Sequence, residues 1–228
     1  MLYIVSTPIG NLEDLSYRQA YTLAWSDIVL AEDTRSAHKL MTGIETLFGV
    51  QRKPEQQFWS YYKEVEFEKL PDVLDQLRDG KVISLISDAG TPLVSDPGFL
   101  LMKQVIREDL KYTVIPGPSA VTTALIHSGV NAHQFEFIGF LPKKTGELRK
   151  IITNAKQMKE LNKDLAIVFF ESAQRLSETL QVINEILPET HITICREMTK
   201  KFEEVLRGSP AELIKHKNLK GELTVVIQ

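Results

Sequence analysis

Three short segments bring ionisable groups to the ends of apolar runs. Ala31-Glu32-Asp33-Thr34-Arg35 closes the run Ile28-Val29-Leu30, so two adjacent carboxylates and a guanidinium arrive where a buried strand ends. Carboxylates in that position can accept a proton during catalysis. They can equally form a helix cap with a local ion pair, because Asp and Glu sit well at helix N-termini. Phe169-Phe170-Glu171-Ser172 likewise delivers a carboxylate at a strand end, and Cys195-Arg196-Glu197-Met198-Thr199-Lys200 delivers one among cations. Cys195 does not read as a nucleophile: no histidine is near it in sequence and it lies within a strand pattern. Histidines 38, 127, 133, 191 and 216 are scattered, and with a single cysteine they give no metal-ligand spacing, so no metal is expected. No Walker motif is present and no Gly-x-Gly-x-x-Gly follows a strand, which disfavours nucleoside triphosphate hydrolysis and the usual dinucleotide fold.

The elements that must position these groups are strand-turn-helix units. Val82-Ile83-Ser84-Leu85-Ile86 runs into Ser87-Asp88-Ala89-Gly90-Thr91-Pro92-Leu93-Val94-Ser95-Asp96-Pro97-Gly98, and a helical pattern follows. Gly90, Pro92, Pro97 and Gly98 fix the backbone and leave Asp88, Thr91, Ser95 and Asp96 to make hydrogen bonds. Leu2-Tyr3-Ile4-Val5 enters Ser6-Thr7-Pro8-Ile9-Gly10-Asn11 in the same way, and Tyr112-Thr113-Val114-Ile115 enters Pro116-Gly117-Pro118-Ser119-Ala120. One such turn is an ordinary strand-to-helix connection. Three of them at the carboxyl ends of strands in one open sheet predict a small-molecule pocket.

Strands are expected over 2–7, 27–32, 81–87 and 112–116, with helices over 16–25, 35–42, 65–79 and 97–109, an alternation that implies a parallel-rich α/β sheet. Asp14 and Thr34 read as N-caps. Residues 43–64 read as irregular, with the cluster Phe58, Trp59, Tyr61 and Tyr62 serving packing rather than stacking on substrate. The second half changes character: strands over 135–141, 165–171, 191–197 and 221–228, helices over 119–128, 145–161, 174–187 and 210–216, and a hairpin-like stretch over 191–207. The boundary is placed at Pro116, giving an N-terminal α/β domain over 1–116 and a C-terminal one over 117–228.

The chain has 228 residues, 43% hydrophobic and 25% charged, ordinary values for a globular protein. No apolar run approaches the roughly 20 residues that span a bilayer, and no charged segment leading an apolar one marks the N-terminus, so a cytoplasmic protein without membrane contact is expected. One cysteine excludes an internal disulfide. Net charge is −3, which argues against a generic nucleic-acid binder. Its distribution is uneven: residues 1–116 hold 12 Lys/Arg and 17 Asp/Glu, net −5, whereas residues 117–228 hold 15 and 13, net +2. Basic clusters (Lys143, Lys144, Arg149 and Lys150; Lys200, Lys201 and Arg207; Lys215, Lys217 and Lys220) all fall in the second half. A polyanion would meet that half, although each cluster alone reads as a solvated helix surface.

The turn motifs together carry a resemblance. Val5 to Leu12, Ala31 to Arg35, Ser87 to Gly98 and Ile115 to Ala120 resemble the tetrapyrrole-methylase superfamily. Ile138-Gly139-Phe140-Leu141-Pro142, Phe170-Glu171-Ser172, Cys195 to Lys200 and Lys220-Gly221-Glu222 are similar to its branch of small-subunit ribosomal RNA (cytidine-2′-O)-methyltransferases. The match covers nearly the whole chain in order. It implies a two-domain class III methyltransferase fold with S-adenosylmethionine in the cleft between the domains, and a homodimer. It also implies methylation of a cytidine ribose in the decoding region of 16S ribosomal RNA, within the small ribosomal subunit. By motif, the donor meets Pro8, Asp88, Ala89, Gly90, Thr91, Pro92, Ser119 and Ala120, with Phe170, Cys195, Arg196, Gly221 and Glu222 as weaker carry-overs. Lys143, Lys144, Arg149 and Lys200 are the expected RNA contacts.

A ribose hydroxyl is a poor nucleophile and gains from a base or from stabilisation of its developing charge. Glu32, Asp33, Glu171 and Glu197 are the base candidates; Arg35, Arg196 and Lys200 are candidates for a phosphate or the oxyanion. The set Glu32, Asp33 and Arg35 is favoured. The chain departs from the branch at Ala173, where Pro is usual, and over Tyr62 to Glu66, where a His- and Asn-containing stretch is usual. Two alternatives stand beside this reading: a methyltransferase of the same fold acting on a tetrapyrrole or other small substrate, and a non-catalytic RNA- or ligand-binding module.

Overall fold

The computed structural model describes residues 1–216 and 219–228; Lys217 of the third basic cluster lies outside them. The chain divides into two compact units, Met1–Ser119 and Ala120–Gln228, so the divide falls just past the boundary expected at Pro116.

The first unit is a parallel sheet of β1 (Leu2–Val5), β2 (Ile28–Ala31), β3 (Gln57–Ser60), β4 (Ile83–Leu85) and β5 (Tyr112–Ile115), in the order β3-β2-β4-β1-β5. Its central strands are continuous apolar runs because both faces are covered. Leu2, Ile4, Ile28, Leu30, Ile83 and Leu85 pack with α3 (Glu66–Arg78) and α4 (Phe99–Arg107). Val5, Val29 and Ala31 turn the other way, against α1 (Tyr17–Trp25) and α2 (Thr34–Phe48).

Two N-caps differ from expectation. Helix α1 starts at Ser16, not Asp14, because Gln19 reciprocates in a capping box. Helix α2 is capped by Asp33, whose Oδ1 accepts the Arg35 N–H at 2.8 Å, and Thr34 becomes its first helical residue. The region 43–64 is also more ordered than its composition implies. Helix α2 continues through Gly43 to Phe48 before Gly49 ends it in the left-handed conformation, φ +64°. Gly43 is a packing glycine rather than a breaker: a Cβ there would lie 2.2 Å from Leu12 Cδ2. Strand β3 follows, with Phe58 and Trp59 half-buried on opposite faces. Tyr61 is fully buried, and Glu66 reaches out of the variant loop to accept the Leu100 and Leu101 N–H groups at 2.9 and 3.3 Å, capping α4. Glu66 is thus committed to packing, while Tyr62, Lys63 and Glu64 of the same stretch are exposed.

The second unit holds α5 (Ala120–Ser128), β6 (Phe135–Phe140), α6 (Thr145–Leu161), β7 (Ala166–Ser172), α7 (Leu176–Ile186), β8 (Ile192–Arg196), β9 (Glu204–Gly208), α8 (Pro210–Leu213) and β10 (Glu222–Ile227). The sheet order is β6-β7-β10-β8-β9. Only β6 and β7 are parallel, and β8–β9 is the expected hairpin. Ile167, Phe169, Ile192, Ile194, Leu223, Val225 and Ile227 form the core under α6, α7 and α8, while α5 packs on the opposite face over β7, β10 and β8.

Candidate functional site

In the first unit, neighbouring strands β1 and β4 send their chains to opposite faces, β1 to α1 and β4 to α4. Their carboxyl ends therefore part, and a crevice at such a point is where ligands enter open α/β sheets. The walls are laced together by backbone. The Thr7 N–H donates to Gly90 O at 2.8 Å, and the Gly90 N–H returns to Thr7 O at 3.1 Å. Thr7 Oγ1 donates to Ser87 O at 3.1 Å, and Ser6 Oγ donates to Thr91 Oγ1 at 3.2 Å. The turn after β5 joins through Thr91 Oγ1, 3.4 Å from Pro118 O. The buried Gln19 amide donates to Ser6 O at 2.7 Å. Glycine is required at two of these positions: Gly90 takes φ +83°, and a Cβ on Gly117 would lie 2.2 Å from Gln19 Nε2 and 2.9 Å from Ser6 Cβ. Leu93 and Ser95 are held at φ +68° and +74°, a strained backbone of the kind that clusters at functional sites.

Electrostatics separates the carboxylates of this edge. Asp33 accepts the backbone and side-chain N–H groups of Arg35, which hold its carboxyl at about 2. Arg35 itself is exposed. A carboxylate so stabilised is a feeble base at neutral pH. Glu32 behaves oppositely: burial and then the negative charge of Asp88 raise it above the ordinary range, although the Asp88 backbone N–H donates to it. Asp96 is pushed further, to about 7, by burial first and then by the charge of Glu32, with Asp88 adding and the Ser87 hydroxyl bond opposing. Glu32 and Asp96 form no ion pair among the described residues, whereas Asp33 beside them is paired with Arg35.

The second unit treats its carboxylates differently. The Glu171 side chain is fully buried; it accepts the Ser172 N–H at 2.7 Å and Thr179 Oγ1 at 2.6 Å, and Arg175 lies 3.5 Å away. Glu197 Oε1 accepts the Glu222 N–H at 3.0 Å and Lys200 Nζ at 3.1 Å. The Glu222 bond and then Lys200 hold Glu197 below its usual range, against the effect of burial. Gly221, at φ +96°, is needed there because a Cβ would lie 2.5 Å from Glu197 Oε1. Lys200 also reaches Glu222 at 2.7 Å. Arg196 pairs with Glu204 at 2.8 Å and donates to Lys220 O at 3.2 Å. Cys195 is wholly buried, its thiol pushed up to about 11 by burial and directed at Ala124 O. Phe170 is half-buried between Phe137 and Phe140. Of the basic residues, Arg149 pairs with Glu185 and Lys144 with Glu147, while Lys143 is exposed and enters no ion pair among the described residues.

The sequence model of the tetrapyrrole (corrin/porphyrin) methylases matches residues 1–214. The chain belongs to that family. It is 38% identical to the ribosomal RNA small subunit methyltransferase I of Halalkalibacterium halodurans over 100% of this chain and 75% of the relative. To the protein of the same name from Thermotoga maritima it is 40% identical over 99% of this chain and 97% of the relative. Among solved structures, the methyltransferase CobJ superposes with a TM-score of 0.72 at 15% identity, covering 99% of this chain and 92% of that one. That likeness shows the fold: the α/β fold of the tetrapyrrole methyltransferases.

Within this methylase, the expected site residues fall into two groups. Pro8, Asp88 to Pro92 and Glu32 gather at the carboxyl edge of the first sheet, where the turn ending in Ser119 also arrives. Phe170, Arg196, Glu197, Lys200, Gly221 and Glu222 lie at strand ends of the second sheet. Ala120 opens α5. Sequence reasoning misses Gln19, whose amide locks Ser6. It marks Asp96 as a hydrogen-bonding group of a tight turn, but not the rise in pKa that burial and Glu32 impose on it.

Proposed function

We propose that this methylase transfers a methyl group from S-adenosylmethionine to the ribose 2′-hydroxyl of a cytidine in the decoding region of 16S ribosomal RNA, acting in the cytoplasm on the small ribosomal subunit as a homodimer. The observation that carries the proposal is the carboxyl edge of the first sheet: three backbone-locked turns beside a carboxylate of raised pKa. Relatives named ribosomal RNA small subunit methyltransferase I, at 36–40% identity over essentially the whole chain, support the substrate.

The edge suits a cationic donor. Its backbone N–H and C=O groups approach closely at Gly90 and Gly117, and Glu32, Asp88 and Asp96 concentrate negative charge there. When bound, the sulfonium supplies a methyl group already activated for in-line displacement. The chain's task is then alignment and removal of one proton. Pro8, Asp88 to Pro92, Ser119 and Ala120 hold the donor, with Phe170, Arg196, Gly221 and Glu222 as further contacts. Glu32 accepts the proton from the 2′-hydroxyl, since its raised pKa makes it a better base than Asp33. Arg35, highly exposed, is placed to meet a phosphate. Glu171 serves to hold its loop, because its burial leaves no face for a ribose. Lys143, Lys144, Arg149 and Lys200 contact RNA.

The test is incubation of the protein with radiolabelled S-adenosylmethionine and small subunits from cells lacking this modification, followed by mapping of the label. Label confined to one cytidine ribose is expected. Label on a base, on protein or nowhere would reject the proposal.

A further inference from the structure

Strand β6 contains a departure from regular pairing. Phe135 pairs with Ala166 and Phe137 with Val168, but beyond Phe137 the register shifts and Phe140 pairs with Phe170, so three steps on β6 span two on β7. Gly139 takes φ +68° within the bulge. Bulges are rare in parallel pairs, and next to active sites they re-aim side chains. Here the effect is specific. Ile138 packs into the core under the helices, as Phe169 does on β7. Without the extra residue Phe140 would fall opposite Glu171, on that same helix-covered face. With it, Phe140 joins Phe137 and Phe170 on the other face.

The three rings form a platform. Phe137 meets Phe170 at a centroid distance of 4.9 Å and 65°, and Phe140 meets it at 5.3 Å and 58°. Phe140 is 63% exposed. A lone exposed apolar residue needs no explanation. This one is held out by a bulge, by a glycine in the left-handed region and by a clamp behind it. Arg175 donates to Leu141 O at 2.9 Å and to Pro142 O at 2.6 Å, fixing the chain just after Phe140. The buried Glu171 in turn lies beside Arg175. Three residues on, Lys143 is exposed and enters no ion pair among the described residues; Lys144, 82% exposed, has Glu147 at 3.4 Å.

An exposed ring on a sheet face, beside cations on a rigid loop, is the combination that binds single-stranded RNA: unstacked bases lie on aromatic faces while lysines take the phosphates. We propose that Phe140, backed by Phe170 and Phe137, is a stacking platform for a nucleobase of the RNA substrate, with Lys143 and Lys144 neutralising adjacent phosphates. This rests on the reading of the protein as an RNA methyltransferase and adds a substrate-holding site to it. The net charge of +2 over residues 117–228 favours RNA as the occupant over an acidic partner's opposite, a basic peptide.

The test compares the unaltered protein with Phe140→Ala and Phe140→Trp. KM and kcat are measured on small subunits, donor affinity by calorimetry, and oligomeric state by sedimentation. Phe140→Ala should raise KM for the subunit by roughly tenfold or more, with donor affinity and oligomeric state unchanged. Phe140→Trp should retain a low KM, and its fluorescence should be quenched by a single-stranded oligoribonucleotide beyond any quenching in the unaltered protein. An unchanged KM in an active Phe140→Ala protein overturns the inference while leaving the methyltransferase reading intact. Loss of donor affinity would assign the ring to the donor pocket instead, and an altered oligomeric state would assign it to contact between two copies; either overturns the platform. An unaltered protein that neither binds nor methylates RNA would reject both readings, and no variant is needed to see it.

Discussion

The two sheets end in contrasting ways. At the carboxyl edge of the first, backbone does the positioning: Thr7 and Gly90 exchange hydrogen bonds, Gln19 locks Ser6, and Gly117 leaves no room for a side chain. The carboxylates Glu32 and Asp96 form no ion pair among the described residues; burial raises both, with the charge of Asp88 adding at Glu32 and the charges of Glu32 and Asp88 adding at Asp96. At the ends of the second sheet, side chains do the positioning, and each carboxylate has its cation: Glu197 with Lys200, Glu204 with Arg196, Glu171 near Arg175. Ion pairs hold structure at the second edge. At the first, burial raises Glu32 and Asp96 toward the pH at which a carboxyl exchanges its proton, as a proton acceptor would need.

The sharpest way to break this contrast is to remove one carboxylate from each edge. Glu32→Gln should lower kcat by about 10²–10⁴-fold, the usual range for a general base, whereas Glu197→Gln, which loses a group already bonded to Lys200 and the Glu222 N–H, should lower it by less than about tenfold. Both are measured by single-turnover methyl transfer to small subunits. The rate of the unaltered protein should also fall on acidification at a pH above the ordinary carboxylate range, because Glu32 is raised and works only when ionised. A Glu197→Gln protein slower than Glu32→Gln would move the chemistry to the second edge.

The contrast was only half legible in sequence. Strands, alternation and the three turns were readable because parallel strands covered on both faces leave continuous apolar runs bounded by Gly and Pro. The Glu32–Asp33–Arg35 set was visible, but its division into a raised and a depressed carboxylate was not. The raised member depends on burial and on Asp88, which comes from the turn after β4, 56 positions later in the chain. The roles of Gly43 and Gln19 stayed hidden for a similar reason. A glycine that admits Leu12, and a glutamine that locks Ser6, look like a breaker and a surface residue until the partner is placed. The ion pairs of the second edge were hinted at by Arg196 and Lys200 flanking Glu197, but Gly221 and Glu222 enter only when β10 pairs with β8.

A smaller effect probes the backbone lock. Gly117→Ala places a methyl against Gln19 Nε2 and Ser6 Cβ, and overpacking at such a site costs about 1–3 kcal/mol. Thermal unfolding should show the loss, and calorimetric titration with S-adenosylmethionine should show weakened binding, since Ser6 and the turn after β5 move together. Destabilisation without any loss of donor affinity would separate the lock from the pocket.

The smallest effect tests whether the charge at the first edge is strained. An Asp side chain in the unfolded chain titrates at about 3.9, whereas Asp96 in the fold titrates at about 7. Between those values the native state holds a proton that the unfolded state has released, so stability declines as pH rises. The contribution is fully present below the unfolded value and lost once pH passes about 7. Asp96→Asn removes that dependence. Relative to the unaltered protein, the variant should therefore gain stability as pH rises from 5 to 8, by on the order of 1 kcal/mol after allowance for solvent screening of a half-exposed group, or roughly 2–4 °C in Tm for a chain of this size. Tm is measured for both proteins at the two pH values. If Asp96→Asn shifted Tm equally at both, Asp96 would act as the hydrogen-bond partner of Ser87 alone, and the first edge would hold one unpaired carboxylate rather than two.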